Sequence, residues 1–294
     1  MAERLNKLQQ LWRVVRASYS APMTGTPQVP PRAAAGETAL TFIGHSSFLV
    51  QMAGRALLVD PVFAKRLVIM RRFRRAGVRI ADLPPIDAVL LTHAHMDHLN
   101  LPSLRGVIRA MRKRGLPAPM VIVPRGVEDL VAKLGFSAVH TLQWWQSFTL
   151  GDITITHTPA KHWGARMWAD THRGFGGYML AASGAPTVYH SGDTAYFDGF
   201  HEIAARLRPQ IALLPIGAYS PDNFRAVHTS PEDALQAFQD LRAETMVPMH
   251  FGTFKLSFEP MDEPLPRLLR AAEAAGIAEK VHPLREGETW VVRV

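Results

Sequence analysis

The stretch that decides the fold reads Ala88-Val89-Leu90-Leu91-Thr92-His93-Ala94-His95-Met96-Asp97-His98. Its first four residues are wholly apolar, as in a strand buried on both faces. Three imidazoles and a carboxylate follow within six positions. Histidines at i and i+2 leaving a strand can converge on one ion, and Asp97 and His98 then turn toward a neighbouring position. The chain has no cysteine, which excludes a thiol nucleophile, an iron–sulfur cluster, a disulfide scaffold and thiolate-ligated zinc. Any metal must be held by the 13 histidines and by carboxylates, a ligand set that suits zinc, iron or manganese.

Further ligand types recur at strand exits downstream. His162 follows a strand predicted over 153–157, Asp193 follows one over 187–190, and His250 follows one over 245–249. Working outward, β-prone runs at 40–43, 47–52 and 55–60 include a hairpin turning at Ala53-Gly54. Other strands are predicted at 120–123, 138–142, 147–150, 177–182, 211–214 and 289–292. A helix should start near Asn100 and Pro102 and stop before Gly115, and Ser230-Pro231 is a cap followed by proline in the first turn. Helices are also expected at 126–134, 198–206, 231–242 and 264–275. Strands interrupted singly by helices suit mixed sheets covered by helices on their outer faces.

With these motifs in this order, the chain resembles the metallo-β-lactamase superfamily. The resemblance covers nearly all of residues 38–294 and implies an α/β (α+β) fold, an αββα sandwich of two mixed β-sheets flanked by helices. It also implies a metal centre at one edge of the sheets, with His93, His95 and His162 on one divalent ion, Asp97, His98 and His250 on a second, and Asp193 bridging the two. Zinc is the default metal, with iron and manganese as alternatives. Ile43-Gly44-His45-Ser46-Ser47, Asp60-Pro61-Val62-Phe63, Leu83-Pro84-Pro85-Ile86-Asp87, Leu214-Pro215-Ile216-Gly217-Ala218-Tyr219 and His250-Phe251-Gly252-Thr253-Phe254 are similar to the branch with N-acyl-phosphatidylethanolamine-hydrolysing phospholipase D and ascorbate-6-phosphate lactonase. The last of these strings favour the phospholipase side. Lack of a ligand cysteine and of an export signal disfavours β-lactam hydrolysis.

The function that the resemblance implies is a dinuclear metal-dependent hydrolase whose bridging hydroxide attacks phosphorus or a carbonyl carbon. A phosphodiester in a lipid-like anionic substrate is the first expectation, and a lactone or other ester the alternative. Asp97 is expected to orient the hydroxide or carry its proton. His228, in Ala226-Val227-His228-Thr229-Ser230-Pro231, is expected to contact phosphate or donate a proton. His45 reads as a partner of a ligand or a strand-turn histidine, and His190 as core or supporting. No role is assigned to His140, His157, His172, His201 or His282.

Residues 1–37 form a separate region: a helix over 4–17 with Leu5, Leu8, Leu11, Trp12 and Val15 on one stripe, then a proline-rich arm over 21–36. This helix either docks on the body or lies in a membrane interface. A net charge of +8 favours anionic partners. Residues 63–79 carry seven basic residues and no acid, interleaved with Leu67, Val68, Ile69, Met70 and Phe73. This is a candidate peripheral membrane contact, with an ordinary solvated loop as the competing reading. Trp163, Arg166 and Trp168 are expected to wall the pocket. No run reaches membrane-span length and no secretory signal is visible, so a cytoplasmic location is expected, with attachment to the inner membrane face as a variant. No specific nucleic acid is expected, and a homo-oligomer is left open. A competing class is a peripheral membrane or nucleic-acid binding protein with a vestigial site.

Overall fold

The computed structural model describes residues 7–167 and 170–293. The expectations for Leu5, for the side chains of Leu8 and Leu11, and for Trp168 lie outside the described residues. Helix α1 (Lys7–Ala17) leads into the proline-rich arm. A three-strand meander follows, β1 (Glu37–Gly44), β2 (Ser47–Met52) and β3 (Arg55–Val59), then a small ribbon of β4 (Arg66–Leu67) and β5 (Met70–Arg71). Next come β6 (Ala88–Leu90), α2 (Leu101–Lys113), β7 (Met120–Pro124), α3 (Glu128–Val131) and β8 (Val139–Leu142). The second half holds β9 (Ser147–Leu150), β10 (Ile153–Thr158), β11 (Gly177–Ala182), β12 (Val188–His190), α4 (Gly199–Leu207), β13 (Ile211–Pro215), α5 (Pro231–Leu241), β14 (Thr245–Met249), α6 (Pro264–Ala274) and β15 (Thr289–Arg293).

These strands form two mixed sheets, ordered β15-β1-β2-β3-β6-β7-β8 and β14-β13-β12-β11-β10-β9. The period-2 alternation of strand side chains divides the core into three layers. Leu40, Phe42, Phe48, Val50, Leu57 and Leu90 of the first sheet meet Ile153, Ile155, Tyr178, Leu180, Leu213 and Val247 of the second. The opposite face of the first sheet packs Leu49, Leu58, Val89 and Val121 on Leu104, Val107 and Met111 of α2. The outer face of the second packs Met179, Tyr189, Ala212 and Leu214 on Phe200, Phe238 and Leu268 of α4, α5 and α6. The architecture is therefore the expected helix–sheet–sheet–helix sandwich.

Both expected helix starts carry their caps. Asn100 Oδ1 accepts from Ser103 N at the start of α2, and Ser230 and Asp233 close a capping box on α5. Some expectations need correction. The helix expected over 126–134 is the single turn α3, and the 66–71 ribbon was not anticipated. The strand expected over 55–60 stops at Val59, because Asp60 takes a left-handed φ of 44°. The arm pairs backbone with the basic segment at Thr24–Arg74 and Gln28–Val78, while Gln51 donates to the Pro31 carbonyl and accepts from Ala33 N. No helix among the described residues is long and apolar enough to cross a membrane.

Candidate metal centre

In the first sheet β3 and β6 run parallel in register, Val59 opposite Leu90, so Asp60 and Thr92 emerge at the same end. In the second sheet the parallel pairs β12–β13 and β13–β14 bring the exits toward Asp193 and His250 to that end too. The chain must turn sharply at each exit. Gly192, at φ 64°, leaves no room for a side chain, because a Cβ there would stand 2.6 Å from the Gly176 carbonyl oxygen. His45 and His250 are themselves left-handed, with φ of 62° and 60°. A 2.8 Å bond from His250 N to the His45 carbonyl locks them together.

The seven expected ligands and His228 converge on this edge. His95 Nδ1 lies 2.8 Å from His93 Nε2 and 3.3 Å from His162 Nε2. Beside them, His98 Nε2 is 3.2 Å from Asp193 Oδ2 and 3.6 Å from Asp97 Oδ2. His250 Nε2 is 3.0 Å from Asp193 and 3.5 Å from Asp97. Four ligand groupings result: His93, His95 and His162; His45, Asp97, His98 and His250; His93, His98 and Asp193; and His162, Asp193 and His228. Asp193 lies among the imidazoles of both halves. His228 Nε2 is 3.7 Å from its carboxylate.

The hydrogen bonds behind these groups set which ring nitrogen is free. Asp60 was not assigned a role from sequence, yet it is fully buried and organises the centre. Its Oδ1 accepts from Thr92 N at 2.8 Å, and its Oδ2 accepts from Thr92 Oγ1 at 2.6 Å. His98 Nδ1 is 2.7 Å from the same Oδ2. An ionised carboxylate only accepts, so the His98 ring proton is on Nδ1. Thr92 spends its proton on Asp60 and thus accepts from His93 Nδ1 at 3.0 Å. His162 Nδ1 donates to the Val227 carbonyl at 2.8 Å. The Nε2 atoms of His93, His98 and His162 all face the centre, the arrangement that metal-binding imidazoles need. A signal for Asp60 existed, a carboxylate directly after an apolar strand and before proline, but sequence does not reveal that this strand borders β6.

The electrostatics agree. Burial pushes His162 down to about 3 and His93 well below its ordinary value, so both stay neutral with lone pairs available. Burial opposes charge on His98 and His250 as well, but there the carboxylates outweigh it. Asp193, Asp60 and Asp97 lift His98 well above the ordinary value, and Asp193 and Asp97 raise His250 to about 9. Burial alone would raise Asp97 and Asp193, yet the surrounding imidazoles hold both well below the carboxylate range. Two buried anions thus demand positive charge. Moreover, His98 Nε2, Asp193 Oδ1 and both ring nitrogens of His250 are buried with no hydrogen-bond partner. Buried polar atoms are seldom left this way, and a cation satisfies them. Tetrahedral zinc with ~2.05 Å bonds separates its nitrogen ligands by about 3.3 Å, close to the spacings of the His93, His95 and His162 nitrogens. The residues fit a metal.

Supporting side chains surround the ligands. His45 Nε2 donates to Asp97 Oδ2 at 2.9 Å and so holds this carboxylate. Arg166 Nη1 donates to the carbonyls of Ala94 and Leu99 at 2.7 and 2.8 Å, clamping the ligand loop from both ends. Trp163 stacks on His162 with ring centres 4.6 Å apart and is 43% exposed. His190 accepts from Gly192 N and donates to the Ser46 carbonyl, bracing the turn before Asp193.

The beta-lactamase superfamily domain model matches residues 55–251. An uncharacterized protein of Mycobacterium tuberculosis is 33% identical over 281 residues, covering 90% of this chain and 73% of that protein. The mitochondrial N-acyl-phosphatidylethanolamine-hydrolyzing phospholipase D of Saccharomyces cerevisiae is 31% identical over 262 residues, which is 85% of this chain and 55% of the yeast protein. Among solved structures, a metallo hydrolase from the hyperthermophilic archaeon Ignicoccus hospitalis superposes with a TM-score of 0.66 at 27% identity, covering 88% of this chain and 99% of that one.

Proposed function

This chain belongs to the β-lactamase superfamily and is a metal-dependent hydrolase, and on that premise we propose that it cleaves a phosphodiester in a lipid-like anionic substrate at a two-metal centre. His93, His95 and His162 would hold one cation and Asp97, His98 and His250 the other, with Asp193 within reach of both and zinc as the default metal. Bound there, a pair of divalent cations supplies a water activated near neutral pH and Lewis acidity toward the substrate's oxygens. The protein's own part is to fix this frame and handle protons. The His45 N–H aims the Asp97 carboxylate, leaving its second oxygen to take a hydrogen bond or proton from the nucleophile. His228 stands beside Asp193 and Trp163, with ring centres of Trp163 and His228 6.0 Å apart, where its Nε2 can donate to a phosphoryl oxygen or to the leaving group.

The observation that carries the reading is the convergence of three imidazoles whose Nε2 atoms are aimed inward by the bonds of Nδ1 to Asp60, Thr92 and the Val227 carbonyl. The choice of phosphodiester rests on likeness to the yeast phospholipase and on the chain's net charge of +8. A panel of bis(p-nitrophenyl) phosphate, an N-acyl-phosphatidylethanolamine and simple lactones, each with and without chelator, tests it. Chelator-sensitive turnover of the diesters is expected; turnover of lactones alone refutes it.

A further inference from the structure

Four large apolar side chains crowd one small region far along the chain from each other. Trp12 and Tyr19, on and just after α1, are 60% and 43% exposed, and Val68 and Ile69, at the tip of the β4–β5 ribbon, are 73% and 45% exposed. They form one patch because α1 and the ribbon are stapled together. The Tyr19 hydroxyl donates to the Ile69 carbonyl at 3.0 Å. Arg71 N donates to Ser18 Oγ, and the Arg71 guanidinium to the carbonyls of Ser18 and Ala21. Val14, Val15 and Ser18 of this segment are buried toward the body, which turns Trp12, Arg16 and Tyr19 outward on a shared helical face.

The charges around this patch sort themselves. Of the basic residues in 63–79, several are committed within the protein. Arg72 is buried and donates to the carbonyls of Val62, Ile43 and Arg74. Arg74 pairs with Glu286, Arg75 donates to the Gly25 carbonyl, and Arg79 pairs with Asp82. Within the segment 63–79, Arg72 and Arg74 therefore hold the fold, which leaves Lys65, Arg66 and the ribbon tip as its outward part. The side chains of Lys65, Arg13 and Arg16 make no hydrogen bond or ion pair among the described residues, and the Arg66 guanidinium overlies the Tyr19 ring at 5.9 Å. No acidic residue occurs in 7–24 or 63–79.

We propose that Trp12, Tyr19, Val68 and Ile69, ringed by Arg13, Arg16, Lys65 and Arg66, form a surface that docks onto an anionic lipid bilayer. Amphipathic aromatic rings and a β-branched hairpin tip suit the headgroup–acyl boundary, and unpaired cations suit its surface charge. The surface is also mechanically tied to the metal centre. Leu67 of the ribbon packs with Val62 and Phe254, and the edge of Phe254 meets His45 at 5.3 Å between ring centres. Docking therefore bears, through Leu67 and Phe254, on the packing behind His45. The inference stands whether the hydrolysed bond is a phosphodiester or a lactone.

The test is co-sedimentation of the full chain, with chelator present so that catalysis plays no part. The vesicles are phosphatidylglycerol and phosphatidylcholine in equal parts, or phosphatidylcholine alone. Binding to the anionic vesicles alone, falling as salt rises, is expected. The triple variant Arg13→Gln, Arg16→Gln, Arg66→Gln should lose about a hundredfold in partitioning, some fivefold for each cation. The Val68→Ser, Ile69→Ser pair should also weaken binding, whereas Arg79→Gln should leave it unchanged. All these positions are exposed and off the core, and an unchanged melting temperature verifies folding. The proposal is overturned by equal binding to both vesicle types, by no binding, by equal losses from Arg79→Gln and the triple variant, or by a concentration-dependent dimer that the serine pair dissolves.

Discussion

Replacing Asp60 by Asn should weaken metal binding without touching a ligand. The substitution preserves shape, and the amide oxygen can still accept from Thr92 N. Its NH2 group, however, then faces Thr92 Oγ1 and His98 Nδ1, which sit 2.6 and 2.7 Å from the native Oδ2. To avoid opposing two donors, His98 must turn Nδ1 into an acceptor and move its proton to Nε2, the atom 3.2 Å from Asp193. Thr92 must accept from the new amide and donate to His93 Nδ1, which pushes the His93 proton to Nε2 as well. Each half of the centre thus gains a proton where a lone pair is needed. Loss of one such supporting partner typically costs 10–100-fold in metal affinity, roughly 1.4–2.7 kcal/mol. The measurement is titration of metal-free protein with zinc against a chromophoric chelator, with near-ultraviolet circular dichroism as the folding control. Thr92→Val is the internal comparison, since it removes the proton acceptor of His93 while leaving the His98–Asp60 bond intact, so its loss should be smaller. An Asp60→Asn protein that binds zinc with wild-type affinity and stoichiometry refutes the tautomer argument.

His228→Asn should lower turnover by about 10²–10⁴-fold while metal content by elemental analysis stays unchanged; loss of metal would make His228 a ligand instead. Arg166→Gln leaves the Ala94 and Leu99 carbonyls without their shared donor and should destabilise the fold by about 2 kcal/mol, read from urea unfolding. His157 is buried away from the metal ligands and burial pushes it down to about 4, while the unfolded chain takes up that proton near 6.5. Its contribution is therefore complete above pH 6.5, and about 3 kcal/mol of stability is withdrawn as pH falls from 6.5 toward 4. His157→Phe should flatten the acid limb of the stability profile, and identical slopes for the two proteins would reject this assignment.

The centre was legible because its chemistry is written in residue types that strands otherwise avoid. Apolar runs ending in His93, Asp193 or His250 announce strand exits with functional side chains, and a β/α alternation with two sheets leaves few ways to gather them. The support network was less legible, since it depends on which strands are neighbours. Asp60 matters only because β3 lies parallel to β6 with Val59 opposite Leu90, a relation 31 positions apart in sequence that no local pattern encodes. The division of labour within the basic segment has the same origin. Its charge is local information, but burial of Arg72 and the pairing of Arg74 with Glu286 across 212 positions are consequences of assembly.

Backbone strain marks the same edge of the molecule. Positive φ in residues other than glycine is disfavoured by the contact of Cβ with the backbone; here Arg208 and Arg242 are helix ends, and Ala53 and Val68 turn hairpins. His45, Asp60 and His250 are different, because none of them ends a helix and all three belong to the metal centre. Glycine would relax each turn, but it carries no side chain to hold Asp97, to fix the tautomer of His98 or to face Asp193. Each strained residue is over-determined by its bonds: His45 by Thr253 Oγ1 at its N–H and by His250 N at its carbonyl, Asp60 by Thr92 and His98. Strain of about 1–3 kcal/mol per residue is thus offset locally, and it turns three chain reversals inward. That lets strand ends from two separate sheets contribute to one cluster, which straight exits could not do.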